Sequence, residues 1–392
     1  MFARKIVLIV SLLIGCQCLA QASGDTSKPY RVAVFAPLYL DSLFEDYSYK
    51  FSSDQVPRFA TRGLEFYNGV MLAVDQLKEE GIKNMEVFIY DTKKDGGLLK
   101  LLSGLTDKGF SMMIAVIENP TEQKILSGFS LQQNTPMVSA TYPNEIGLAN
   151  NPFFIMLNAT LKTHVEALPA YVQRYKKANV VYVSRNGSTE QMITNYFKQS
   201  AAKQQSFKYK PVVLKDNFSF TDLAKNLDTT VQNVIITGSL NDNFSVRLVK
   251  ALDTSSAYRN KVVAVGMPTW EHIKTFQRKE IKHVPIVHSA SSHFDNSSTW
   301  AYKINKSYHE KFLTKASENV LAGFETMYRF SKIMLKNPVD MVNHISDKSY
   351  NVWNAFTFEP ARVDANESTP DFMENKKLYY ITRQNGVTKS VY

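Results

Sequence analysis

In the stretch Arg31-Val-Ala-Val-Phe-Ala-Pro37, residues 32–35 are apolar without interruption. A strand that does not alternate apolar with polar is buried on both faces, the condition of a parallel sheet held between helices. The residues that follow supply the helices. Over 63–80, Phe66, Tyr67, Val70, Ala73, Val74 and Leu77 recur three or four positions apart and share one helical face. Gly81 ends that run, as a glycine after a helix commonly does. The alternation continues with a strand over 86–90, a helix over 97–108, a strand over 112–117, a helix over 122–132 and a strand over 136–140. Strand and helix repeating at this rhythm make right-handed βαβ units and an α/β fold.

The rhythm breaks at Asn150-Asn151-Pro152 and restarts. Strands are expected over 179–183, 211–214, 233–237, 261–265 and 285–288, with helices over 190–203, 220–227 and 244–252. Two longer helices are expected over 300–312 and 320–336. The tail carries strands over 356–358, 378–382 and 387–391, the last two joined by the turn pair Asn385-Gly386. A chain of 392 residues is too long for one ordinary core, so two lobes are expected.

Residues 1–22 read as a signal peptide: Arg4 and Lys5, then the apolar run 6–14, then small residues at Ala20 and Ala22. The apolar run is shorter than the ~20 residues that span a bilayer. Two cleavage readings compete. Ala20-Gln21-Ala22 suits an ordinary signal peptidase, whereas Leu13-Ile-Gly-Cys16 resembles a lipobox, with Cys16 as the lipidation candidate. The expected location is the periplasm or cell envelope, soluble or lipid-anchored. Cys16 and Cys18 are the only cysteines, which excludes an internal disulfide or a thiolate metal site from the mature chain. The net charge of +10 comes from lysines spread along the chain, a solvated basic surface and not a nucleic-acid site.

In open parallel sheets ligands bind beyond the carboxyl ends of the strands. That rule selects Tyr39 after the first strand, Asn119 and Thr121 after the third, and Ser139, Ala140, Thr141 and Tyr142 after the fourth. In the second half it selects Arg185 and Ser188, then Thr269 and Trp270. Plainer readings stand beside several of these: Thr121 as a helix cap, 139–141 as an ordinary strand-to-loop turn, and Tyr39, Tyr142 and Trp270 as packing residues. No nucleophile elbow, Walker loop, Gly-x-Gly-x-x-Gly or His-Glu-x-x-His occurs. His283, His288 and His293 read as surface or hinge histidines. The chain is therefore expected to be a binding protein without a cofactor, and not an enzyme.

The order of these features resembles the type I periplasmic binding proteins, the leucine/isoleucine/valine-binding family of ABC-transport receptors, over about residues 30–386. The carrying segments are Arg31-Val-Ala-Val-Phe-Ala-Pro37, Phe66-Tyr-Asn-Gly-Val-Met-Leu-Ala-Val-Asp75, Tyr90-Asp91, Thr135-Pro-Met-Val-Ser-Ala-Thr141 and Leu321-Ala-Gly-Phe-Glu325. Phe66-Tyr-Asn-Gly with Tyr90-Asp91-Thr92 looks like the Bacteroidetes branch. The resemblance implies two doubly wound, Rossmann-like lobes joined by a three-segment hinge, with crossings near 152–157, 289–294 and 338–342. One lobe would hold 28–154 plus 292–338 and the other 155–291 plus 339–392. It also implies a receptor that closes around an amino acid or short peptide and delivers it to an ABC transporter permease, with Ser139, Ala140 and Thr141 holding the polar head. The rival expectation is an envelope structural or signalling protein that keeps this fold. Two segments depart from the family. Ile117-Glu-Asn-Pro120 is poorer in Gly and Ser than its counterpart, and Val265-Gly-Met-Pro-Thr-Trp270 lacks the acid that often receives the ligand ammonium, with Glu271 next in line.

Overall fold

The structure is a computed structural model that describes residues 28–52, 55–362 and 367–392. The expected signal segment 1–22, with Cys16 and Cys18, lies outside the described residues. Two seven-stranded sheets dominate. In the first, β1 (Tyr30–Ala36) lies between β4 (Met85–Asp91) and β5 (Met112–Ala115), followed outward by β6 (Met137–Ser139), β7 (Phe154–Met156), β14 (Phe372–Asn375) and β13 (Phe358–Ala361). All pairs are parallel except β13–β14. The second sheet repeats the plan. β8 (Asn179–Ser184) lies between β9 (Lys210–Val213) and β10 (Asn233–Thr237), followed by β11 (Val262–Gly266), β12 (Ile286–Ala290) and the antiparallel β15 (Tyr379–Gln384) and β16 (Val387–Val391). A short hairpin, β2 (Phe44–Glu45) and β3 (Ser48–Tyr49), stands apart from both.

The uninterrupted apolar strands do what their pattern requires. Val32, Val34 and Ala36 bury one face of β1 under the helices Arg58–Glu79, Thr299–Phe312 and Glu318–Lys336. Ala33 and Phe35 bury the other face under Gly97–Ser103 and Pro120–Gln132. The second sheet is covered on one side by Leu161–Val172 and Ser188–Lys203, and on the other by Asp242–Asp253 with Trp270 and Phe276.

The chain passes between the sheets three times: at 157–160 after β7, at 291–298 after β12, and at 376–378 between β14 and β15. The third passage corrects the expectation that it lies near 338–342 and that 339–392 belongs to the second lobe. Met341, Ile345, Phe356 and Phe358 are buried in the first lobe's core, and β13 and β14 extend the first sheet. The physical reason is that Pro338 only ends a helix, whose loop then stays on the sheet it covers. Arg329, wholly buried on that helix, donates to the Ile345 carbonyl at 2.9 Å and to Asn351. This ties the 345–351 loop back to the first lobe.

The passages are held by polar side chains. Glu374 accepts hydrogen bonds from the Thr160 N–H at 2.8 Å and the Thr163 hydroxyl at 2.7 Å, and it pairs with Lys376. Burial opposes its charge, yet Lys376 and these donors hold its carboxyl below the usual range. Asn375 donates to the Leu157 carbonyl at 3.0 Å, and Ser291 accepts from the Ala159 N–H at 2.9 Å. Glu325, buried on the Glu318–Lys336 helix, accepts from Asn354, whose own oxygen accepts from the His293 N–H at 2.7 Å.

The helices Arg58–Glu79 and Glu318–Lys336 meet backbone to backbone through glycines. A Cβ on Gly69 would lie 2.0 Å from the Val320 carbonyl oxygen, and one on Gly323 would lie 2.2 Å from that of Phe66. Neither neighbour is a side chain that can swing away. Gly69→Ala and Gly323→Ala should therefore each destabilise the fold by about 1–3 kcal/mol, the cost of overpacking. Urea unfolding measures this; a variant as stable as wild type would show that the crossing is looser than the geometry states.

Candidate functional site

The carboxyl ends of the strands of the two sheets face a cleft of about 530 Å3 between the lobes. Arg62, Glu118, Thr141 and Tyr142 line it from the first lobe. Asn158, Ala159, Ser291 and Ser292 line it from the passages, and His164, Leu240, Thr269, Glu271 and His272 from the second lobe. A groove of about 500 Å3 between the helices Gly97–Ser103 and Pro120–Gln132 is comparable in size. It lies along a helix pair, away from the strand ends, and its lining is mostly apolar, so the rule that ligands sit beyond the strands selects the cleft.

On the first-lobe side, Thr141 clamps two loops together. Its hydroxyl donates to the Ile117 carbonyl at 2.7 Å and accepts from the Ile117 N–H at 2.9 Å. Asn158 donates to the Thr141 carbonyl at 2.9 Å, fixing the first passage against the same turn. Ala140 accepts a weaker bond from Asn158 at 3.3 Å. Ser139 is buried behind this wall, and its hydroxyl has no partner among the described residues. The Thr141 hydroxyl is thus already spent on positioning, while the turn itself faces the cleft.

The helix Pro120–Gln132 begins at the same wall, but its N-terminus is filled by its own side chains. Asn119 accepts from the Glu122 N–H at 3.0 Å, the usual N-cap bond, and Glu122 accepts from the Glu118 N–H at 3.0 Å. Thr121 is exposed and does not line the cleft. Glu118 does line it, and its charge is answered by Lys93 at 3.0 Å and by the Tyr39 hydroxyl, which donates at 2.9 Å. Tyr39 sits on a left-handed backbone, φ 56°, locked because Asp91 accepts from the N–H groups of Leu38, Tyr39 and Leu40.

Arg62 reaches the cleft because Gly63 lets its helix approach β1's loop. A Cβ at Gly63 would lie 2.2 Å from the Pro37 carbonyl oxygen. Among the described residues Arg62 makes no hydrogen bond and no ion pair. Sequence periodicity offered no signal for it, since it is a solvent-side residue at the start of an amphipathic helix.

On the second-lobe side, Trp270 is wholly buried, packed on Phe276 with centroids 4.9 Å apart. Its ring lies where a Cβ on Gly266 would come within 2.0 Å. Trp270 therefore anchors the turn instead of walling the cleft, and Thr269, Glu271 and His272 are presented to the ligand space. The Thr269 hydroxyl has no partner among the described residues. Among the described residues no hydrogen bond reaches the Glu271 carboxylate. Burial, and then repulsion from Glu318, raises its pKa above the ordinary carboxyl value. Arg185 and Ser188 do not line the cleft. Arg185 pairs with Glu190 at 3.0 Å and Asp216 at 2.9 Å within its own lobe, and Ser188 is exposed at a helix start.

His164, on the unexpected helix Leu161–Val172, faces the cleft from beneath. Its Nδ1 is 2.8 Å from the Ser289 hydroxyl, and its Nε2 is 3.4 Å from that of Ser291. His288, on β12, is buried with neither ring nitrogen partnered among the described residues. No group of three His, Cys, Asp or Glu residues among those described is placed to hold a metal.

No family model matches the chain, and no curated protein matches it. Solved structures do. One is a branched-chain amino acid ABC transporter periplasmic ligand-binding protein from Burkholderia xenovorans, with 10% identity over 92% of this chain and 95% of that chain, TM-score 0.61. Another is an ABC transporter substrate-binding protein from Desulfitobacterium hafniense in complex with Leu, with 11% identity, 92% and 99% coverage, TM-score 0.57. A third is a branched-chain amino acid transporter substrate-binding protein from Streptococcus pneumoniae in complex with isoleucine, with 14% identity, 93% and 99% coverage, TM-score 0.51. Shared over almost the full length of each partner, this likeness shows that the chain has the two-lobed fold of the type I periplasmic binding proteins.

The two histidines make stability depend on pH. Burial pushes His164 down to about 4 and His288 down to about 3, with Arg383 adding repulsion at His288. In the unfolded chain both take up a proton near 6.5. Lowering the pH below that value therefore favours unfolding, and the loss is complete once the folded-state values are passed. For His164, the gap between 6.5 and about 4 is worth on the order of 3 kcal/mol. Thermal unfolding at pH 7, 5 and 4 should show a falling Tm, with a smaller fall in His164→Gln. An equal fall in both proteins would remove His164 as a cause.

Proposed function

We propose that this chain is an exported solute-binding receptor that closes around a small zwitterion, an amino acid or short peptide, and delivers it to an ABC transporter. The observation that carries this reading is the pair of uncommitted charges facing one cleft from opposite lobes, Arg62 and Glu271. A guanidinium is suited to a carboxylate, which it binds through two parallel hydrogen bonds. A desolvated carboxylate is suited to an ammonium. Thr269 and the Thr141 turn supply neutral donors and acceptors between them.

A ligand that touches both lobes binds the closed arrangement more tightly and shifts the population toward it. The fold likeness supports this use of the cleft, since two of the similar proteins were solved with Leu or isoleucine bound. No helix among the described residues is long and apolar enough to cross a membrane, which accords with a receptor outside the bilayer. Whether the mature chain is free in the periplasm or tethered through Cys16 is decided by membrane fractionation of a Cys16→Ser protein.

Calorimetry with leucine, isoleucine and a panel of amino acids and dipeptides tests the proposal. At a hundred times its Kd, a ligand should stabilise the protein by about 2.7 kcal/mol. Arg62→Ala and Glu271→Gln should each weaken binding by about ten- to a hundredfold, the range for one charge-assisted hydrogen-bonded contact. Glu271→Gln should not lower Tm at neutral pH, because it removes a carboxylate that burial disfavours. For wild type, affinity should fall as pH drops through the raised pKa of Glu271, where the carboxylate that receives the ammonium is lost. Absence of any ligand across the panel, or full affinity in both variants, would sink the reading and favour an envelope protein that keeps only the fold.

A further inference from the structure

Between β1 and the Arg58–Glu79 helix, the chain builds a ladder of rings that the cleft chemistry leaves unused. Tyr39 meets Phe59 edge-on, with centroids 5.0 Å apart, and Phe59 meets Phe51 at 6.4 Å. Phe51 meets Tyr49 at 5.5 Å, and Tyr49 meets Phe44 across the β2–β3 hairpin at 5.7 Å. Phe44, Phe51 and Phe59 are 42%, 40% and 44% exposed. Contiguous apolar surface held in water marks a binding surface. This one is held: Asp91 fixes the backbone at Tyr39, and Lys50 donates to the Asp41 carbonyl at 3.0 Å.

Two observations join the ladder to the cleft. The Tyr39 hydroxyl donates to Glu118, which lines the cleft. Phe59 stands three residues before Arg62 on one helix, so the two share a face with their Cβ atoms about 5–6 Å apart. A third observation sets the chemistry of the occupant. The ladder's hydroxyl hydrogens are already used, the Tyr39 hydroxyl donating to Glu118 and the Tyr49 hydroxyl to the Gln55 carbonyl at 3.1 Å, and the phenylalanines have no polar atom. An aromatic side chain laid there pairs ring to ring and brings no polar group that needs a partner.

We propose that the ladder is an outer subsite for the aromatic side chain of a ligand's C-terminal residue, whose carboxylate Arg62 holds. The ligand class is then a short peptide ending in an aromatic residue. This rests on the reading of the cleft as an amino-acid or peptide receptor. The carboxylate and the side chain leave the same Cα, so a carboxylate at Arg62 puts that side chain within a helical turn of Phe59, while the ammonium end crosses toward Glu271.

Calorimetry on the mature chain with leucine, Ala-Ala, Ala-Phe and Phe-Ala tests the subsite. The last two differ only in which residue carries the ring. Ala-Phe should bind about tenfold or more tightly than Phe-Ala and Ala-Ala, as burying one ring implies. Phe59→Ala and Phe51→Ala should bring Ala-Phe down to the level of Ala-Ala, at unchanged Tm. If leucine binds but Ala-Phe gains nothing over Phe-Ala, or if Phe59→Ala keeps the preference, the subsite is overturned and the receptor reading stands. If none of the four binds, the receptor reading falls and the subsite with it. If wild type sediments as a dimer and Phe59→Ala as a monomer, a second copy covers the ladder and the subsite is overturned.

Discussion

The first sheet must be covered on both faces, and the chain has to leave and return to cover it. One face is closed by helices that follow directly in sequence, Gly97–Ser103 and Pro120–Gln132. The other needs the Arg58–Glu79 helix and a partner, and that partner, Glu318–Lys336, comes only after β8 to β12 of the second sheet have been laid down. The two helices approach through Gly69 and Gly323, so closely that each glycine rests on the other helix's backbone. An interior packed to crystal-like density tolerates no substitute for that second helix. The return makes a single passage between lobes impossible. It requires two, and a third takes the chain back to add β15 and β16 to the second sheet; the floor of the cleft is made of those passages.

A floor made of passing chain is an awkward place to put backbone, because its N–H and C=O groups lie at the edge of both cores. The polar residues Glu374, Asn375, Asn354, Ser291 and His164 meet this need. Each bonds backbone or side chain across a passage, and most are buried. A buried carboxylate such as Glu374 is tolerable only with its donors and Lys376 in place. The floor is thus tied by satisfied polar groups, while Leu157 and Phe294 reach from the passages into the first lobe's core.

This division explains what was legible in the sequence. Segments buried among apolar side chains carry periodicity, and 233–237, expected as a strand, is β10 to the residue. Segments that build the hinge carry none. β14 reads Phe372-Met-Glu-Asn375, and its last two residues are polar yet buried. Without an apolar pattern it was not read as a strand, and the third passage was placed too early. The Leu161–Val172 helix is hidden for a related reason: Lys162, Thr163 and His164 interrupt its first turn, and it holds Pro169 inside. In the candidate site, the strand-end rule selects the Thr141 and Thr269 turns, and both line the cleft. It took Arg185 for a ligand contact, where a local pair with Glu190 and Asp216 satisfies it. Arg62 was invisible, because nothing in one sequence separates an exposed arginine that waits for a ligand from one that only solvates a helix.

The charges in the cleft decide how closure is controlled. Glu118 has local partners in the Tyr39 hydroxyl and in Lys93, which it shares with Glu122. Arg62 and Glu271 are not neutralised, and they face one space from different lobes without pairing to each other. Two unit charges 4 Å apart in water attract by only about 1 kcal/mol. Joining them directly would have to hold two flexible side chains still for a gain of that order, which leaves little net stability, as exposed ion pairs generally show. A zwitterion between them changes the balance. It gives each charge a close partner, and it excludes water from both pairs at once, where the same interactions are stronger. On the proposed reading, the empty cleft therefore has little reason to close, and a zwitterionic ligand would supply the reason by carrying both charges itself.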